Sequence, residues 1–299
     1  MPPSTPPSGH LLLASAKAGS TEQEAVEAAR SVLESAGPVE LVETATPEEL
    51  DTALDRLDGR TLVVAGGDGS LHLTVARLRE RGELGEVRLG LVPLGTGNDL
   101  ARALDLPLDP GDAAKVVLTA SPRPLDLIVD DLGGVVINAV HVGVGADAAQ
   151  QAGRFKARLG VLAFPLGALS AGLRTTGWRL RVEVDGTIVG DTHRRSLMVA
   201  VLNGPGIGGG TALVPHAEPD DGKLDVMVSY ASGPLARVRF GAALSAGTHL
   251  QDEAVRVARG TTVTISGELV GVNADGEVGE EIRRRTWHVE PCAWSLLRP

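Results

Sequence analysis

Twice in its first hundred residues the chain runs from a short apolar stretch into a glycine turn and then into a helical pattern. Thr61–Ala65 leads to Gly66-Gly67-Asp68-Gly69-Ser70, and Arg88–Val92 leads to Pro93-Leu94-Gly95-Thr96-Gly97-Asn98-Asp99-Leu100. Glycine lets the main chain turn sharply and lets a ligand or a second backbone come close. Around these turns, His10–Ala14 and Val39–Glu43 read as strands. Thr21–Ala36 reads as a helix behind a Ser/Thr cap, Pro47–Leu57 as a helix opened by a Thr-Pro pair, Leu71–Arg81 as a helix, and Leu100–Leu104 as a helix start. This alternation predicts a parallel sheet covered by helices on both faces.

The rhythm changes near Arg123. Shorter β-rich runs follow at Leu127–Val129, Val135–Val140, Arg179–Val184, Ser196–Leu202, Leu224–Ser229 and Thr261–Ser266. Turns such as Asp185-Gly186 and Asp221-Gly222 separate them. Two helical insertions interrupt the series, around Arg158–Leu173 and Pro234–Gly247. We read a second, mainly antiparallel β domain beginning near residue 125. The length of 299 residues suits two domains of ordinary size.

The net charge of −10 argues against a nucleic-acid binder, and three Trp, one Tyr and three Phe leave few stacking platforms for single strands. A lone cysteine, Cys292, precludes an internal disulfide and is consistent with a reducing cytoplasm. The opening MPPSTPPSGH lacks the charged and apolar regions of a secretory signal and reads as a loose tail. The longest apolar run, Val161–Leu173, is shorter than the roughly 20 residues a membrane helix needs. Local basic clusters, Arg194-Arg195 and Arg283-Arg284-Arg285, predict transient peripheral membrane contact at most. An exposed β edge leaves a homodimer open.

The glycine turns carry the chemistry. A helix start offers free N–H groups and the positive end of the helix dipole, which favour phosphate. Asp68 would repel a phosphate unless it holds a metal or bonds a hydroxyl or amide. In the second turn Thr96 and Asn98 add a hydroxyl and an amide, and Asp99 is placed to cap the next helix. Two such turns at the carboxyl ends of neighbouring parallel strands would share the edge where open α/β sheets bind ligands. The chain has no GxxxxGK[ST] loop, none of its four lysines lies in a glycine turn, and it has no protein-kinase signature.

At these residues the chain resembles the diacylglycerol kinase catalytic family, in particular the soluble bacterial lipid kinases. PLGTGNDLARALDLP resembles the second family loop, and VGVGADA (Val142–Ala148) its glycine-rich strand end. NGPGIGGGTALVPHAEPDDGKLDVMV (Asn203–Val228) resembles its central segment and GVNADGEVG (Gly271–Gly279) its DGE segment. The order is kept over roughly residues 10–297. The resemblance implies an N-terminal parallel-sheet α/β domain that binds ATP, residues 1–125 with 290–299 returning to it. It implies a C-terminal, mainly antiparallel β-sandwich domain for lipid and metal, residues 126–289.

The implied reaction moves the γ-phosphoryl group of ATP to a lipid hydroxyl in a cleft between the domains. Thr44, Gly66, Gly67, Asp68, Gly69, Ser70, Thr96 and Asn98 match nucleotide-contacting positions. Glu218, Asp221 and the carbonyl of Lys223 match a Mg2+ site. Asp275 and Glu277 match the DGE acids, one of them the general base. The chain departs from the family at Ser15-Ala16, where Asn-Pro is usual, at His72-Leu73, where Asn-Glu is usual, and at Ser70, where Thr is usual. The rival readings are a kinase of a non-lipid acceptor, such as NAD, and a non-catalytic nucleotide or lipid sensor.

Overall fold

The computed structural model describes residues 9–16, 19–143 and 176–299. Most of the N-terminal tail, Lys17, Val144–Ala148 of the glycine-rich segment, Lys156 and the insertion at Arg158–Leu173 lie outside the described residues. The chain divides into two compact units, Met1–Leu125 with Cys292–Pro299, and Asp126–Pro291.

The first unit opens β1 (His10–Ser15), α1 (Ser20–Glu34), β2 (Val39–Thr44), α2 (Pro47–Leu54), β3 (Thr61–Gly66), α3 (Asp68–Glu80), β4 (Leu89–Pro93), α4 (Asp99–Ala103) and α5 (Pro110–Thr119). The strands pair in the order β2-β1-β3-β4, all parallel. Alternate strand residues explain the covering layers. Leu12, Ala14, Val63, Ala65 and Val92 pack with Val26, Ala29 and Leu33 of α1 and with Ala113, Ala114 and Val117 of α5. Each fully buried Leu or Val of this kind contributes roughly 1.5–3 kcal/mol.

The helix caps follow local chemistry, with two departures from expectation. Thr46 caps α2 as its Thr-Pro pair predicts, its Oγ1 accepting the Glu49 N–H at 3.3 Å, and Pro47 is the first helical residue. The cap of α1, however, is Gly19 rather than a Ser or Thr, and its N–H donates to Glu22 Oε2 at 3.3 Å. Sequence reasoning does not find α5, although Asp109-Pro110 opens it with the same cap logic; Asp109 Oδ1 accepts the Asp112 N–H at 3.0 Å. Between α2 and α3, Arg77 grips the Asp51 carboxylate, holding that carboxyl below its ordinary range chiefly through their hydrogen bonds.

The remaining strands are β5 (Ser121–Asp130), β6 (Val135–Val136), β7 (Ala139–Gly143), β8 (Leu180–Val184), β9 (Thr187–Gly190), β10 (Met198–Leu202), β11 (Gly206–Ile207), β12 (Thr211–Ala212) and β13 (Leu224–Ser229). After helix α6 (Pro234–Ser245) come β14 (Val255–Gly260), β15 (Thr262–Val270), β16 (Val272–Ala274), β17 (Glu277–Val278) and β18 (Ile282–Arg298). One antiparallel sheet of the second unit runs β14-β13-β10-β7-β16-β17. The other layer is antiparallel, β15 lying between β8 and the first part of β18, with β9 beyond β8. Val140, Val142, Val199, Val201, Val226 and Val228 meet Val182, Val184, Val263, Ile265 and Trp287 between the layers. This is a β-sandwich core.

The opposite face of the first sheet is also buried. Ala139, Met198, Ala200, Leu202 and Met227 pack with Leu213, Val214 and Phe240 of α6. The basic clusters are largely engaged within the protein. Arg194 stacks on the Tyr230 ring, Arg195 pairs with Glu268 at 3.0 Å, and Arg285 pairs with Asp130, while Arg283 and Arg284 are exposed. Among the described residues no helix is long and apolar enough to cross a membrane.

Candidate functional site

In the first unit, strand order places β2 on one side of β1 and β3-β4 on the other. The order reverses between β1 and β3, the switch point at which open α/β sheets bind ligands beyond the strand carboxyl ends. Thr44 ends β2, Gly66 ends β3 and Pro93 ends β4, so all three candidate segments lie along this edge.

The two glycine turns touch each other. The Leu94 N–H donates to the Gly66 carbonyl at 3.0 Å. A Cβ on Gly67 would come within 2.8 Å of the Gly95 Cα, and a Cβ on Gly95 within 2.5 Å of the Gly67 Cα. Only backbone fits between the turns. Helix α3 starts earlier than the sequence pattern predicts: Gly67 is its cap, and Asp68, Gly69 and Ser70 already form its first turn. The N–H groups of that turn lack partners within the helix, because its first bond runs from the Leu71 N–H to the Gly67 carbonyl. A Cβ on Gly69 would meet nothing within 4 Å. An open space therefore adjoins the positive end of a 13-residue helix.

Two assignments in the second turn change. Asp99 does not cap α4; the cap is Asn98, in the left-handed region at φ 52°, and Asp99 is the first helical residue. The capping acceptor is Asp68 from the other turn, whose Oδ1 takes the Leu100 N–H at 3.4 Å. This supplies the amide partner that the acid in a glycine turn requires. The Asn98 side chain is spent inside its own loop: Oδ1 accepts the Gly95 N–H at 2.9 Å and Nδ2 donates to the Gly95 carbonyl at 2.8 Å. Asn98 thus shapes the turn, whereas Thr96 is exposed.

In the second unit, Asp275 and Gly276 have φ of 48° and 88° and form the two-residue loop between β16 and β17. Asp-Gly suits a hairpin turn with both central residues left-handed. The Asp275 carboxylate is clamped by main chain. Its Oδ2 accepts the Ile137 N–H at 2.7 Å, and its Oδ1 accepts those of Asn138 and Ala139 at 2.9 and 3.0 Å. The Glu277 carboxylate stands two residues away and is exposed.

Glu218, Asp221 and Lys223 lie on the segment before β13. The Lys223 N–H donates to Asp221 Oδ1 at 2.9 Å, and Arg259 of β14 pairs with the same carboxylate. Sequence reasoning misses two carboxylates here. Asp126, buried, accepts the Gly222 N–H at 2.6 Å and fixes the turn. Asp225 is 1% exposed, with Oδ2 3.5 Å from Arg259 Nε and Oδ1 3.6 Å from His216 Nε2. Burial pushes its carboxyl above the ordinary range. Among the described residues no three carboxylate, imidazole or thiolate groups gather as a metal site. Carboxylates and a carbonyl are the hard oxygen donors that Mg2+ takes, and of these the Asp221 carboxylate is engaged by Arg259 and the Lys223 N–H.

Comparison with known proteins covers both units. The model of the diacylglycerol kinase catalytic domain matches residues 10–129. That of the YegS C-terminal NAD kinase beta sandwich-like domain matches residues 138–298. A Pseudomonas aeruginosa protein named "Probable lipid kinase YegS-like" is 32% identical over 240 residues, 80% of this chain and 76% of that protein. A Mycobacterium tuberculosis "Diacylglycerol kinase" is 28% identical over 245 residues, again 80% and 76%. The crystal structure of a diacylglycerol kinase from Bacillus anthracis superposes with a TM-score of 0.72 at 20% identity, covering 98% of this chain and 97% of that one.

Proposed function

The chain belongs to the diacylglycerol kinase catalytic family, among its YegS-like lipid kinases, and on that premise we propose that it transfers the γ-phosphoryl group of ATP to a hydroxyl of diacylglycerol or a related lipid. The observation that carries the nucleotide half is the contact between the two glycine turns beside the open first turn of α3. Backbone N–H groups held in that geometry suit a polyphosphate without needing a lysine. Gly66 to Ser70 form the cradle. Thr44 and Thr96 border it, and Asp68 and Asn98 fix the two turns.

In the second unit we assign the general base to Glu277. Both Asp275 oxygens already accept main-chain N–H groups, which leaves Asp275 the role of holding the turn. Glu277 takes the proton of the lipid hydroxyl as its oxygen bonds to the γ-phosphorus; the bond from that phosphorus to the β–γ bridging oxygen breaks, and ADP leaves. Glu218, Asp221 and the Lys223 carbonyl would hold Mg2+, which supplies charge neutralisation for the phosphates. Asp221→Asn should therefore weaken Mn2+ binding, followed by electron paramagnetic resonance, by about ten-fold or more. Unchanged binding would move the metal elsewhere.

The proposed chemistry is tested by incubating the protein with Mg2+, ATP and a panel holding diacylglycerol, phosphatidylglycerol, a sphingoid base and NAD, with products read by mass spectrometry. A phosphorylated lipid alcohol is expected. Phosphorylated NAD alone, or ATP binding without transfer to any member, would reject the reading.

A further inference from the structure

Two buried carboxylate oxygens at the Asp221 turn accept no hydrogen bond: Asp221 Oδ2 and Asp225 Oδ1. A buried carboxylate is costly unless an opposite charge meets it. Arg259 supplies that charge to both acids. Its guanidinium pairs with Asp221 Oδ2, and its Nε lies 3.5 Å from Asp225 Oδ2. Strand pairing arranges this, because Arg259 of β14 stands directly opposite Asp225 of β13, where side chains share a face. The Gly222 N–H, donated to Asp126 at 2.6 Å, holds the turn that brings Asp221 to the same guanidinium.

The partners are unequally held. The Asp221 side chain is 18% exposed, and its Oδ1 accepts the Lys223 N–H at 2.9 Å. The Arg259 side chain is 45% exposed. Asp221 Oδ2 is therefore covered by a group on a flexible stem at the surface, and a cation reaches that oxygen by moving the guanidinium aside, with no cavity needed. An ion pair with one partner this exposed is weak. A guanidinium spreads a single charge over a plane, whereas Mg2+ places two charges about 2 Å from each ligand oxygen. The two cannot contact the same oxygen at once.

We propose that Arg259 is a resident cation which the metal must displace, so that it sets how much Mg2+ is needed to load the Asp221 site and holds the turn in place before loading. This rests on the metal assignment above and adds to it a residue from another strand. The charge of the two acids is met in both states, by arginine in one and by the divalent ion in the other. The turn is thus kept in shape for the metal rather than being built by it.

Arg259→Gln tests this, with Mn2+ alone as the probe, followed by electron paramagnetic resonance in 0.15 M salt. Mn2+ affinity should rise at least three-fold. The metal-free variant should melt below the wild type, and millimolar Mg2+ should raise its melting temperature more than that of the wild type. Arg256→Gln removes the same charge three residues along β14 and should leave Mn2+ affinity within two-fold. Equal tightening in the two variants would reduce the effect to general charge and overturn the proposal. So would a less stable Arg259→Gln that binds Mn2+ no better than the wild type, which is the result of a purely structural ion pair. If Asp221→Asn weakens Mn2+ binding while Arg259→Gln leaves it unchanged, the exchange fails and the metal assignment stands; if none of these proteins binds Mn2+, both fail.

Discussion

Glu277→Gln is expected to lower kcat by roughly 10²–10⁴-fold, the usual contribution of a general base, while melting temperature and the KM values for both substrates hold. The carboxylate is exposed and the change is nearly isosteric, so the fold has no reason to respond. Asp275→Asn should behave differently. The Asp275 carboxylate accepts three N–H groups, one on Oδ2 and two on Oδ1. An amide in its place would point an NH2 at one of those donors. Losing a hydrogen bond to a charged group costs about 1.5–3 kcal/mol, so this variant should lose stability together with activity. Full activity in Glu277→Gln, joined with an inactive but fully stable Asp275→Asn, would make Asp275 the base and the amide clamp incidental.

The contrast between the two acids also shows what a sequence can reveal. The turn itself was readable because Asp-Gly is a local signal, satisfied by the φ preferences of two adjacent residues. The clamp was not, because its donors lie at 137–139, brought to Asp275 by the pairing of β16 with β7. Asp68 follows the same rule. Its glycine surroundings stand out in the sequence, whereas its task, receiving the Leu100 N–H, joins residues 32 apart. Asp126 and Arg259 reach the Asp221 turn from other strands and carry no motif of their own.

Element recognition divides along similar lines. Strands β1, β3 and β4 are buried on both faces and read as plain apolar runs. Strand β18, IRRRTWHVEPCAWSLLR, is the longest among the described residues, yet its charges and its proline hide it. It serves two units in turn, each burying a different part of it, so no single period runs along its length. Strands β16 and β17 are three and two residues long, too short for any alternation to show. The cap of α5 was a local signal and needed no tertiary information.

Two alanines in the glycine turns should separate architecture from ligand. In Gly95→Ala the new methyl would sit 2.5 Å from the Gly67 Cα and 2.8 Å from Asn98 Oδ1. Neither neighbour can yield cheaply, because one is main chain and the other holds the turn through two hydrogen bonds. Overpacking of this kind costs about 1–3 kcal/mol, so the first unit should unfold earlier in urea and ATP affinity should collapse with it. Gly69→Ala reverses the first effect while keeping the second. Its methyl meets no protein atom within 4 Å, and its backbone is already helical. Alanine stabilises a helix over glycine by about 0.5–1 kcal/mol, so this unit should become slightly more resistant to urea. The same methyl, however, would stand in the space beside the free N–H groups of α3, where the phosphates are proposed to lie. Isothermal titration with Mg-ATP should therefore show affinity lowered at least ten-fold in a protein that is no less stable. Wild-type affinity in Gly69→Ala would remove α3 from the nucleotide site, because a phosphate drawn onto those N–H groups cannot share the space with a methyl.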